Sequence, residues 1–99
     1  MNRIYILNIV IQIVTEYLDI IGKPANITEE TALMGSDAVL DSIGLVTIVV
    51  DIEGRLMEND INVSLTSEKA MSLRKSPFRN IGALTDYIVT QNEETNNGK

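Results

Sequence analysis

A chain of 99 residues has room for one domain, and at this size folding buries about two thirds of the unfolded surface, enough for a core without metal or disulfide support. Fourteen acidic against eight basic residues leave a formal charge of −6, a field that repels nucleic-acid phosphates and anionic membranes and favours partners with basic patches. There is no Cys, which excludes disulfides and thiolate metal sites, and no His, which removes the commonest general base and metal ligand. Any thiol chemistry has to come from something attached. Tyr5, Tyr17, Phe78 and Tyr87 are the only aromatic residues, so packing falls to Ile, Val and Leu.

The opening MNR followed by IYILNIVIQIV has the charged start and apolar middle of a secretory leader. Asn8 and Gln12 interrupt that run, however, and no small-x-small cleavage site follows. Leu7, Val10, Ile11, Val14, Leu18 and Ile21 fall at three- and four-residue spacing, with Asn8, Gln12, Thr15 and Asp19 opposite. The segment is too short and too polar to span a bilayer. It predicts a buried helix from about Arg3 to Ile21, stopped by Gly22 with Pro24 beyond.

Residues 23–40 form a long connection, which inside a compact domain points to function. Ile27, Leu33, Met34, Val39 and Leu40 are its expected anchors, and Gly35 marks a turn. Asp41 and Ser42 then precede a second helix, Ile43 to Met57. At about 100° per residue, Leu45, Ile48, Val49, Ile52 and Leu56 share one side. Gly44, Thr47, Asp51, Gly54 and Arg55 gather on the other. Ile43, Val46 and Val50 add an apolar strip between them, a wider arc than one core contact requires.

A short helix is expected from Ser67 to Leu73, begun by Thr66 or Ser67, and a last helix opens after Asn80 as N-cap, burying Ile81, Leu84 and Ile88 with Val89 beside them. The polar stretch NEETNNGK has nothing to bury, so the expected organisation is a bundle over 1–91 and a disordered tail over 92–99. No stretch alternates at period two strongly enough to compete with helix. The expected fold is therefore all-α: a four-helix bundle of three longer helices and one short third helix, with a long loop between the first two.

A serine opening a helix presents its hydroxyl beside unpaired backbone N–H groups, where a phosphate is favoured. Asp41, one residue earlier, is positioned to cap the helix or to attract a basic modifying enzyme. Asp-Ser alone is weak evidence, since such dipeptides cap many helices; the anchored loop before it and the amphipathic helix after it add weight. Among other candidates, Glu29-Glu30 reads as surface, and Arg74, Lys75 and Arg79 read as a solvated basic cluster. Met57 and Met71 read as gap-fillers. No catalytic pair, Gly-rich phosphate loop or metal site can be assembled.

The stretch LDSIGLVTIVVDIEGRL, Leu40 to Leu56, resembles the modification site and second helix of acyl carrier proteins, with Asp41, Ser42 and Ile43 matching the family's Asp-Ser followed by Leu, Ile or Met. The likeness extends to the first helix and to IGALTDYI, Ile81 to Ile88, and covers about residues 3 to 90. It implies a four-helix bundle without catalytic residues of its own. It also implies a 4′-phosphopantetheine arm, derived from coenzyme A and attached to Ser42 with Asp41 in support, which carries acyl groups as thioesters. A partner face at Ile43, Val46, Val50 and Glu53 follows from the same likeness. The implied partners are a phosphopantetheinyl transferase and acyl-loading and acyl-processing enzymes with basic docking patches, in lipid, fatty-acid or secondary-metabolite synthesis. A cytoplasmic monomer is expected, with neither nucleic acid nor stable membrane insertion. The chain departs from fatty-acid carriers at Gly44 and Thr47, where those often carry acidic residues, and in a longer region between Leu56 and Ile81. Ser42-Ile43-Gly44 is also similar to the Asp-Ser-Met-Gly pattern of D-alanyl carriers, so an aminoacyl carrier, D-alanyl or peptidyl, is the alternative. From a different class, an unmodified helical interaction module would use Ser42 as a mere cap.

Overall fold

A computed structural model describes residues 2–35, 37–61, 63, 65 and 77–97. Among these the chain is helical, with α1 at Arg3–Ile20, α2 at Ser42–Glu58 and α3 at Ile81–Asn97. No strand occurs among the described residues; one isolated bridge pairs Ala32 with Asn80. The short helix expected at Ser67–Leu73 lies outside the described residues, as do Met71, Arg74 and Lys75.

α1 begins at Asn2, whose side chain accepts the Tyr5 N–H, and ends where its sequence predicts. Gly22 takes φ +75, a region open to glycine at little cost. Its N–H bonds the Asp19 carbonyl at 3.2 Å while the Lys23 N–H bonds the Leu18 carbonyl at 2.8 Å, the paired closure of a Schellman motif. The buried face differs from the one expected by about one position. Ile6, Ile9, Val10, Ile13, Val14 and Leu18 are buried, whereas Leu7 and Ile11 lie at the margin and Ile21 is exposed. The cause is that the apolar arc of α1 is wider than the core contact, with Ile4, Tyr5 and Ile20 left exposed, so spacing establishes a helix without choosing which part of that arc turns inward.

α2 runs antiparallel to α1. Tyr17, near the end of α1, sits over Gly44 at the start of α2, and the Tyr5 hydroxyl donates to Asn59 Oδ1 at 2.8 Å at the far end. Ile48, Val49, Ile52 and Leu56 are buried and Leu45 is partly buried, as the wheel predicts. Gly44 does not belong with the outer residues: it is buried, and a methyl group there would lie 3.2 Å from the Tyr17 ring and from the Asp41 carboxylate. The helix closes with a second Schellman pattern, Ile61 N–H to Leu56 O at 2.9 Å and Asp60 N–H to Met57 O at 3.1 Å. Here the left-handed position is held by Asp60, φ 62, instead of glycine.

α3 packs on α1 through Ile81, Leu84 and Ile88, with the buried Thr85 hydroxyl donating to Ile81 O at 2.9 Å. Asn80 is its cap, accepting the Ala83 N–H at 2.7 Å. The helix continues to Asn97, past the boundary drawn at residue 91, and Asn92 is buried. Propagation adds one hydrogen bond per residue once a helix is anchored, so it runs on where apolar patterning stops.

The long loop is fastened to the head of α3. Ile81 N–H donates to Thr31 O at 3.1 Å, Gly82 N–H to Glu29 O at 2.9 Å, and Leu33 N–H to Arg79 O at 3.2 Å. Two of the N–H groups that a helix start leaves open are thus satisfied by loop carbonyls. Ile27, Leu33 and Leu40 are buried and Val39 packs against the core, as expected, but Met34 is 44% exposed and anchors nothing. Glu29, read as surface, instead accepts from Arg3, which also donates to Asp86 Oδ1 at 2.6 Å. This clasp joins α1, the loop and α3. Glu29 foremost, then Asp86, raises the Arg3 pKa well above its ordinary value.

Candidate functional site

Two residues at the head of α2 divide the work that either could do. Asp41 is extended (φ −87, ψ −178), its side chain accepts the Gly44 N–H at 2.7 Å, and its carbonyl accepts from Leu45 N at 2.9 Å. It is therefore the N-cap, the position at which Asp is among the most favourable residues. Ser42 is the first residue inside the helix; it is exposed, and its hydroxyl has no hydrogen-bond partner among the described residues. The idea that Ser42 serves as a cap is thereby corrected, because Asp41 holds that position.

The electrostatics are mixed. The helix start carries roughly half a positive charge on its open N–H groups, here those of Ser42 and Ile43. The Asp41 carboxylate brings a full negative charge to the same turn. Together they do not make a trap for a free anion. A phosphoryl group would remain at this position through a covalent bond to Oγ, with the helix end offsetting part of the charge repulsion.

Two surfaces flank Ser42. Toward the long loop lies an open cleft of about 400 Å3, lined by Leu33, Met34, Leu40, Asp41, Ser42 and Leu45 among others. Along α2 runs the apolar strip read from the sequence: Ile43 is 77% exposed, Val46 61% and Val50 57%, with Glu53 partly buried at its margin. Met57 extends the strip and is 64% exposed, so it does not fill a gap in the core. Leaving four large apolar side chains of one helix in water forgoes burial worth about 1.5–3 kcal/mol for each. Such exposed apolar side chains on successive turns are a candidate interaction surface.

The structure brings Asp41, Ser42 and Ile43 together at one helix end, with Val46, Val50 and Glu53 on successive turns below them. Arg79 is exposed, and its carbonyl serves the loop. Among the described residues no group of His, Cys, Asp and Glu is arranged to hold a metal ion, and no helix is long and apolar enough to cross a membrane. Sequence reasoning missed the second groove, between α1 and α2, because it is assembled from helices that are remote along the chain. Comparison of the chain with protein-family models, with curated proteins and with solved structures returns no match.

Proposed function

We propose that the chain is an acyl carrier protein, modified on Ser42 by a 4′-phosphopantetheine arm. In that modification the Ser42 oxygen attacks the pantetheine-bearing phosphorus of coenzyme A. The pyrophosphate bond breaks, adenosine 3′,5′-bisphosphate leaves, and the hydroxyl proton passes to a base of a separate transferase. The arm's terminal thiol is then the one sulfhydryl of a protein that has no Cys of its own. Cargo is joined to it as a thioester and the carrier makes no bonds itself.

The observation that carries this reading is the division of labour at the head of α2: Asp41 caps the helix, which leaves the Ser42 hydroxyl exposed, and without a partner among the described residues, beside an unburied apolar strip. The strip at Ile43, Val46 and Val50, bordered by Glu53, is the face on which the transferase and the acyl-loading and acyl-processing enzymes dock. Aromatic-poor, acidic composition suits basic partner patches and the cytoplasm.

Incubation with coenzyme A and a phosphopantetheinyl transferase, followed by intact mass, tests the proposal. One phosphopantetheine is expected on the wild type and none on Ser42→Ala. An unmodified wild type, or an equal adduct on the variant, overturns it. The Ser42 side chain makes no hydrogen bond among the described residues, so Ser42→Ala should fold normally and the comparison is clean. Cargo is read separately, by offering the modified protein to acyl-activating and amino-acid-activating ligases.

A further inference from the structure

The groove between α1 and α2 shares Val50 with the exposed strip and otherwise has no role in the carrier reading, and its lining, rim and backbone agree on one kind of occupant. We propose that it is a second docking surface, independent of Ser42, which receives a basic amphipathic helix from a partner protein.

The floor is apolar. Ile13 and Ile20 of α1 and Val50 of α2 line it, Ile20 being 82% exposed. The space measures about 550 Å3 and is open along its length. An open groove between two helices, with apolar side chains flanked by charged ones, is a place where an amphipathic third helix can lie.

The rim decides the charge of that helix. Glu16, Asp51 and Glu58 line the groove against a single cation, Arg55. None of the four is in an ion pair among the described residues; Glu16 accepts only from Gln12, at 3.2 Å. Like charges across an interface disfavour a wrong partner, so a second copy laid symmetrically on this acidic rim is repelled, and so is an anionic membrane. A helix with Lys or Arg flanking its apolar stripe is attracted.

Gly54 supplies an observation of a different kind. It lies inside α2, one turn before its end, exposed and lining the groove, and a methyl group there would meet nothing within 4 Å. Ala would make the better helix, and no contact within the chain forbids it. The missing side chain is accounted for by an approach from outside: a partner backbone can come close to α2 only where no side chain stands. The α2 residues of the groove begin about 12 Å along the helix from Ser42 and centre near Gly54, about 18 Å away at 1.5 Å per residue, so occupancy does not require the arm.

The test uses the full chain without the arm and a fluorescent Leu/Lys amphipathic peptide of about 14 residues, roughly four turns. Anisotropy should report saturable binding, and amide shift changes should centre on residues 13–20 and 50–58. Gly54→Gln, which favours helix but fills the groove, and the pair Glu16→Lys with Asp51→Lys, should each weaken binding about tenfold or more. The control pair Glu30→Lys with Asp37→Lys, which changes net charge equally away from the groove, should stay within about twofold of wild type, since a diffuse charge effect would weaken both pairs alike. Binding by Gly54→Gln equal to wild type, equal loss in the control pair, or shifts centred on Ile43 and Val46 would overturn the proposal. Self-association through this groove in sedimentation would do the same. Ser42→Ala should bind the peptide as wild type does, so failure here and failure of the carrier reading are separate results.

Discussion

Replacing Asp41 by alanine removes the acceptor that holds the first turn of α2. The bond to Gly44 N–H is 2.7 Å long, its acceptor is a carboxylate, and Gly44 is buried beneath Tyr17. Water therefore cannot readily replace the lost acceptor. N-cap truncations cost about 0.5–2 kcal/mol, and leaving a buried donor unpaired moves the value toward the upper end, so the expected loss is about 1.5 kcal/mol. For a domain of this size that corresponds to a fall in Tm of about 6–12 °C. Asp41→Asn keeps an acceptor and gives up the charge, so it should lose only the interaction with the helix dipole, about 0.3–1 kcal/mol. Urea unfolding followed by circular dichroism measures both, with an unchanged m-value confirming that the native state alone has altered. If Asp41→Ala were as stable as wild type to within about 0.3 kcal/mol, Asp41 would not be the working cap. Ser42 would then not be released from capping for other use. Rates of phosphopantetheine transfer add a second reading: if Asp41 acts by capping, Asp41→Asn is modified nearly as fast as wild type.

Asp60 sits at φ 62 in the closure of α2, where a side chain costs about 1 kcal/mol relative to glycine, and its charge opposes the negative end of the helix. Asp60→Gly should therefore raise stability by about 0.5–1 kcal/mol despite the greater freedom of its unfolded chain, and a urea midpoint that does not rise would refute this. Arg3→Met undoes the clasp among α1, the loop and α3. The groups are substantially exposed, so the urea midpoint should fall by less than in Asp41→Ala, and the difference from wild type should shrink at high salt. A loss that is large and indifferent to salt would mean that the Arg3 stem packs rather than pairs.

Much of this protein was legible along the chain. The three long helices follow from apolar spacing, Gly22 ends α1, Asn80 caps α3, and Asp41 with Ser42 marks the head of α2. These features depend on residues within a turn or two of each other, where side-chain period, backbone freedom and capping act directly. The exposed strip at Ile43, Val46 and Val50 was visible for the same reason, as an apolar arc wider than one contact needs.

Other features exist only once the helices meet. Spacing could not say which part of the wide apolar arc of α1 turns inward, that Gly44 lies under Tyr17, or that Met34 and Met57 stay in water. Nor could it pair Arg3 with Glu29 and Asp86, or assemble the acidic groove beside Gly54. Burial and pairing depend on what lies opposite, and the opposing residues come from distant parts of the chain. Helix formation is written locally; the choice of which surface to hide, and therefore which to offer, belongs to the packed bundle.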